Sequence, residues 1–173
     1  MLAYKAQLAI RQGDAKGGVK SLRDCLQKIR TARHGLILTE FNISLVQGLA
    51  AGGQFVEAMS LIDETIQLVE TKGDTVHMPE LLRLKGGLFL ARPQPCVADA
   101  ELFFERSLKL SRHQGARAWE LRTAIDLAAL FASQGKPKRG WALLQPVFNQ
   151  FVEGADTADF KSARDLLSAL DRT

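Results

Sequence analysis

The stretch "GDAKGGVKS", residues 13–21, holds glycines and lysines of the kind that cradle phosphates. It lacks the GxxxxGK[ST] order, in which backbone N–H groups and a lysine converge on a phosphate chain, and no strand-like run precedes it. His34, His77 and His113 show neither HExxH nor any other metal-ligand spacing, and read as polar residues near helix ends. Cys25 and Cys96 form no CxxC pair and point to no disulfide framework, which suits a reducing compartment. Glu40, Glu80 and Glu120 recur at intervals of 40 residues. They read first as acids complementing helix N-termini, and alternatively as an acidic stripe on an inner surface. The basic spots "SRHQGAR" (111–117) and "GKPKRG" (135–140) lie beside Trp119 and Trp141, whose types fit core packing better than base stacking. These residues carry no catalytic constellation, and no cofactor or metal is expected.

The elements that must position these residues are punctuated by Gly13, Gly35, Gly53, Gly73, Pro93, Gly115, Gly135 and Gly154, at gaps of 18 to 22 residues. Between breakers, apolar residues fall three and four apart, as in Phe55, Ala58, Met59, Ile62, Ile66 and Val69. That is the period of an amphipathic helix, and glycine is the residue that most readily ends one. The chain therefore reads as helices of roughly fifteen residues joined by short turns.

The helices repeat in pairs. Aligning "RQGDAKGGVKSLRDCL", "AGGQFVEAMSLIDETI", "CVADAELFFERSLKL" and "SQGKPKRGWALLQPVF" brings Gly18, Ala58, Ala100 and Gly140 together, at steps of 40, 42 and 40 residues. Four residues on stand Leu22, Ile62, Phe104 and Leu144, and three further Cys25, Thr65, Ser107 and Val147. A small residue lets two helices approach, and the bulky one fills the space beside it. The alignment predicts an all-α fold with four hairpins, approximately 1–34, 35–73, 75–115 and 116–154. A helix over 157–171 closes them, with Phe160, Ala163, Leu166, Leu167 and Leu170 inward and Asp159, Lys161, Arg164 and Asp165 outward. "ARPQPC" is expected to be a stiff connector two residues longer than the glycine turns. Pro79 and Pro137 suit first helical turns, and Pro146 should kink the eighth helix.

The pattern of glycine, an aromatic or basic residue, alanine or glycine, and a bulky residue four later resembles the second helix of a tetratricopeptide repeat, stretched from 34 residues to about 40. The first-helix Trp and Tyr of that repeat are missing. "ELLRLKGGLFLA", "FFERSLKLSRHQGARAWELRTAIDLAALFASQGK" and "LLQPVFNQFVEGADTADFKSARDLLSAL" resemble the C-terminal repeat tails of bacterial signalling ATPases that carry nucleotide-cyclase-like or winged-helix transcriptional-regulator modules upstream. The resemblance implies a right-handed superhelix, one domain over 1–173 that is a C-terminal fragment of a larger protein, and a function in regulation rather than catalysis. It implies partners that are proteins, peptides or upstream domains, or alternatively a small-molecule inducer, held on the concave side by the first helices. In this register Gln7, Glu40, Ile43, Gln47, Glu80, Arg83, Arg122 and Ile125 face that groove.

Composition narrows the partners. Charged residues make up 24% of the chain and the net charge is +4, a mild excess that gives little support to nucleic-acid binding. No run approaches the ~18 apolar residues of a membrane span, so a cytoplasmic location without membrane contact is expected. Leu2, Leu8 and Ile10 make the first helix apolar, which leaves surface for upstream repeats or for a homodimer through that helix.

Overall fold

The computed structural model describes residues 2–31, 38–73, 75–151 and 156–172. Gly35, His34 and Gly154 lie outside these residues. Among the described residues there are nine α-helices and no strand. They are α1 (Leu2–Arg11), α2 (Ala15–Thr31), α3 (Leu38–Ala51), α4 (Phe55–Lys72), α5 (Met78–Ala91), α6 (Val97–Gln114), α7 (Arg117–Ser133), α8 (Pro137–Phe148) and α9 (Ala158–Leu170). One 3₁₀ turn, Thr75–His77, leads into α5.

Helix ends follow from local chemistry. Gly73 and Gly115 stop α4 and α6 at φ 72° and 65°, the left-handed conformation that a Cβ disfavours, and their N–H groups close onto carbonyls of the last turn. Pro79 and Pro137 sit in first turns, where a missing N–H leaves no bond unmade. Thr157 caps α9 by accepting from Phe160 N. Pro146 stands inside α8, two residues before its end at Phe148.

A recurring turn bond sets the register. Asp14 N donates to Ala9 O (2.9 Å), Gln54 N to Leu49 O (2.8 Å), Cys96 N to Phe89 O (3.0 Å) and Lys136 N to Phe131 O (2.9 Å). The donors step by 40, 42 and 40 residues, as the small residues do. Donor and acceptor are five residues apart in the glycine turns and seven in "ARPQPC", so the connector absorbs its insertion locally, with Arg92 extended at φ −67°, ψ 154°.

The small residues mark backbone contacts. Added Cβ atoms would lie 2.9 Å from Ala6 O at Gly18 and 2.7 Å from Ala128 O at Gly140. Ala58 and Ala100 are wholly buried, and Leu22, Ile62, Phe104 and Leu144 beside the small positions are at most 1% exposed. The third aligned position does more than fill space. Thr65 accepts from Asn42 Nδ2 (3.2 Å), and Ser107 donates to Pro79 O (2.7 Å) and shares a hydrogen bond with Thr123 (2.8 Å).

Each odd helix packs on its following even helix, on the even helix before it and on the next odd helix. Between successive even helices lie open grooves, one of about 570 Å³ over α3 and one of about 540 Å³ over α7. Odd helices in mutual contact and even helices held apart make a curved stack whose inner wall is α1, α3, α5, α7 and α9. Trp141 corrects its core assignment: it is 38% exposed on α8, because one residue past Gly140 turns ~100° away from the seam. Trp119 is half-buried against the His77 ring at 5.6 Å.

Adjacent glycines in α5 test this packing. A Cβ on Gly86 would meet Phe104 carbons at 2.8 Å, whereas one on Gly87 meets nothing within 4 Å. Gly86→Ala should destabilise the protein by about 1–3 kcal/mol. Gly87→Ala should stabilise it by about 0.5–1 kcal/mol. Urea unfolding of both variants reads the two signs directly.

Candidate binding groove

The turn bonds make Ala9, Leu49, Phe89 and Phe131 equivalent. In that register Ala3, Ile43, Arg83 and Ile125 share one position, so a guanidinium replaces an apolar side chain in the third hairpin. Glu40, Glu80 and Arg122 share another, and Tyr4, Ser44, Leu84 and Asp126 a third. The inner wall owes its chemistry to these departures from the repeat.

Arg83 is the centre of the site. Its Nε and Nη2 donate to the two carboxylate oxygens of Glu80, each at 2.8 Å, and its Nη1 donates to Asp126 on α7 at 2.6 Å. The fork-to-fork geometry on Glu80 fixes the guanidinium plane. Burial opposes the Arg83 charge, but the hydrogen bond and charge of Glu80, with those of Asp126, outweigh it and raise the guanidinium above its ordinary value. Burial pushes the Asp126 carboxyl up from 3.8; Arg83 pulls it down by less, and Glu80 and Asp159 add to the rise. One guanidinium thus serves two carboxylates, and Glu80 holds two of its three bonds.

Arg122 Nε donates to Asp159 on α9 at 2.6 Å. On the other flank Gln7 Nε2 donates to Ser44 (2.8 Å) and Glu40 (3.3 Å) on α3. Polar bonds therefore tie α1 to α3, α5 to α7 and α7 to α9.

These groups surround a half-open cavity of about 380 Å³ lined by Arg11, Gln47, Glu80, Arg83, Arg122, Ile125, Asp126, Asp159 and Ser162. Every odd helix contributes, so the curvature brings α1 and α9 to the same cavity. The charges balance, three arginines against three carboxylates.

Of the residues placed in the groove from sequence, the cavity unites Gln47, Glu80, Arg83, Arg122 and Ile125. Gln7 and Ile43 are 6% and 8% exposed, Gln7 spent on α3 and Ile43 on the core, so neither offers a surface; Glu40 is half-buried beside Gln7. An open acidic stripe does not form. Glu80 is locked to Arg83, and Glu120 stands two residues before the position equivalent to Glu40 and Glu80, where it accepts from Arg112 Nε at 2.8 Å. Arg11, Asp126 and Ser162 had no signal until helices were aligned in space. Asp159 was assigned to the solvent face of the closing helix but turns into the cavity. The basic spots are partly neutralised: Arg139 pairs with Glu101 (3.2 Å) and Glu105 (3.7 Å) and lies 3.9 Å from the Phe131 ring centre.

No family model matches the chain, and no curated protein matches it by sequence. Solved structures do. A single-substitution form of nearly identical TPR-like repeats from Podosopora anserina, from a protein assigned as a kinesin light chain, superposes with a TM-score of 0.72 at 13% identity, covering 99% of this chain and 84% of that one. A second crystal structure of the Podosopora anserina protein gives 0.71 at 13% identity over the same shares. The fold is a tetratricopeptide-like helical repeat.

Two substitutions test the electrostatics. Arg83→Ala strands Glu80, which is 4% exposed, and should cost about 3–5 kcal/mol. Asp126 binds its proton more tightly folded than unfolded, so its contribution to stability falls as pH rises through the interval above 3.8. Asp126→Asn keeps an oxygen for Arg83 and removes that fall. The variant's stability relative to the parent should therefore grow between pH 4 and neutrality, as pH-resolved denaturation will show, with a flat or declining difference refuting the assignment.

Proposed function

We propose that the chain is a protein-interaction scaffold whose concave wall holds a peptide or helix of a partner, or an upstream domain of the same polypeptide. The observation that carries the reading is the convergence of all five odd helices on one charged cavity beside Ile125. An extended or helical segment laid along the wall can meet several helices at once, and Arg11, Gln47, Arg122 and Ser162 offer it hydrogen bonds. In the wider context suggested by "ELLRLKGGLFLA" and the segments after it, this scaffold is the sensor or regulatory tail of a cytoplasmic bacterial signalling ATPase, of the nucleotide-cyclase-like or transcription-regulating kind. No described helix is long and apolar enough to cross a membrane.

A second reading, a small-molecule sensor, is favoured by one observation. The cavity wall is polar except at Ile125, and its volume of about 380 Å³ suits a compact polar ligand. Such a ligand would bridge α1 to α9 and so bias the curvature of the stack.

A peptide array probed with the chain separates these readings. Under the first, binding peptides lose at least about tenfold in affinity with Arg122→Glu and keep it with Arg139→Glu on the outer face. Peptides indifferent to Arg122→Glu would remove the groove from the interaction. Under the second, no peptide depends on the groove, and a thermal-shift screen of small polar compounds yields one whose stabilisation disappears in Arg122→Glu.

A further inference from the structure

The repeat register exposes a second surface, remote in chemistry from the groove. Leu8 is the counterpart of Gly48, Leu88 and Leu130; Lys5 of Leu45, Lys85 and Leu127; Leu2 of Asn42, Leu82 and Ala124. In the later odd helices this stripe is covered: Leu88 is 3% exposed, Leu130 5%, Leu82 3% and Leu127 2%. In α1 it is open, with Leu2 70% and Leu8 53% exposed and Lys5 also at the surface.

What covers the stripe elsewhere is the preceding hairpin. A Cβ on Gly48 would lie 2.7 Å from Val19 Cγ2 of α2 and 2.9 Å from Ile10 Cδ1 of α1. Lys85 Nζ reaches back to Asp63 Oδ1 of α4 at 2.6 Å. Lys5 occupies in α1 the position of Lys85 in α5, and α1 contains two cations and no carboxylate.

We infer that the open stripe of α1 seats one more helical hairpin of the same class, whose outer helix lies on α1 as α4 lies on α5 and presents a carboxylate to Lys5. Charge and polarity favour this occupant over a second copy of the chain. Two α1 helices face to face would bring lysine against lysine with no acid between them. The outer face of α9 offers Lys161, Arg164, Asp165 and Ser168, which do not match an apolar stripe.

The test builds the occupant from the chain itself. Residues 38–81 are fused directly ahead of Leu2, so that Leu2 follows in the register of Leu82 and the duplicated Asp63 comes opposite Lys5. Hydrogen exchange of the α1 amides should slow by at least about tenfold relative to the parent. Asp63→Lys in the added copy should reduce that protection, and Lys5→Glu in the same background should restore it. Unchanged α1 exchange in a fusion whose remaining helices exchange as in the parent overturns the inference. So does protection that ignores both charge reversals. Sedimentation of the parent chain supplies the competing outcome: a dimer that protects α1 and is abolished by Leu8→Glu gives the stripe to a second copy.

Discussion

A Cβ on Gly140 would sit 2.7 Å from the carbonyl oxygen of Ala128, closer than atoms can approach. The same backbone-to-backbone contact joins Gly18 to Ala6 and Gly86 to Ala100, whose carbonyl oxygen lies 3.2 Å from a Cβ built on that glycine. The rest of the stack depends on it. Helices that approach this closely have one azimuth and one axial offset, so the bulky residue four positions on falls into the same gap in every hairpin. Leu22, Ile62, Phe104 and Leu144 are that residue, and all are essentially inaccessible to water. Because the contact is local to each hairpin, an insertion outside it does not propagate. "ARPQPC" adds two residues between Phe89 and Cys96, and the turn bond still closes at 3.0 Å.

With hairpins fixed internally, the shape of the stack is decided between them. The odd helices touch and the even helices stand apart, and ion pairs bridge the outer gaps. Arg23 on α2 pairs with Glu57 on α4; the equivalent positions on α6 and α8 hold Glu105 and Arg139, paired at 3.7 Å with the signs exchanged. These exposed pairs contribute little energy each but are complementary in register. The inner links are of another kind. Arg83 is largely buried, so its charge is tolerable only because Glu80 lies one turn away and Asp126 reaches it from α7. A pair that is costly to separate is also directional, and it ties the third hairpin to the fourth at a defined angle.

Much of this was legible in the residues. Helix positions, the small-residue seam and the step of 40, 42 and 40 followed from glycine's place at helix ends and from the three- and four-residue apolar period. The groove list rested on the tetratricopeptide resemblance and the repeat register, and of its eight residues Gln47, Glu80, Arg83, Arg122 and Ile125 line the cavity. Burial of Gln7 and Ile43 was not legible, because a side chain facing inward on its own helix can be covered by the neighbouring one. Trp141 was misjudged for the converse reason: a residue type that favours the core is held outside it by the turn of the helix.

The sequence by itself determined the helices, their pairing and the positions where backbones meet, all of which depend on contacts near in the chain or repeated along it. Only the tertiary structure decided that Arg11 and Ser162 line one cavity, that Asp159 pairs with Arg122 across the gap from α9 to α7, and that Arg83 is shared by Glu80 and Asp126. Those contacts join separate hairpins, and a small rotation accumulated over successive hairpins sets whether two such groups lie within hydrogen-bonding reach or across open solvent. Periodicity carries no record of that accumulated angle.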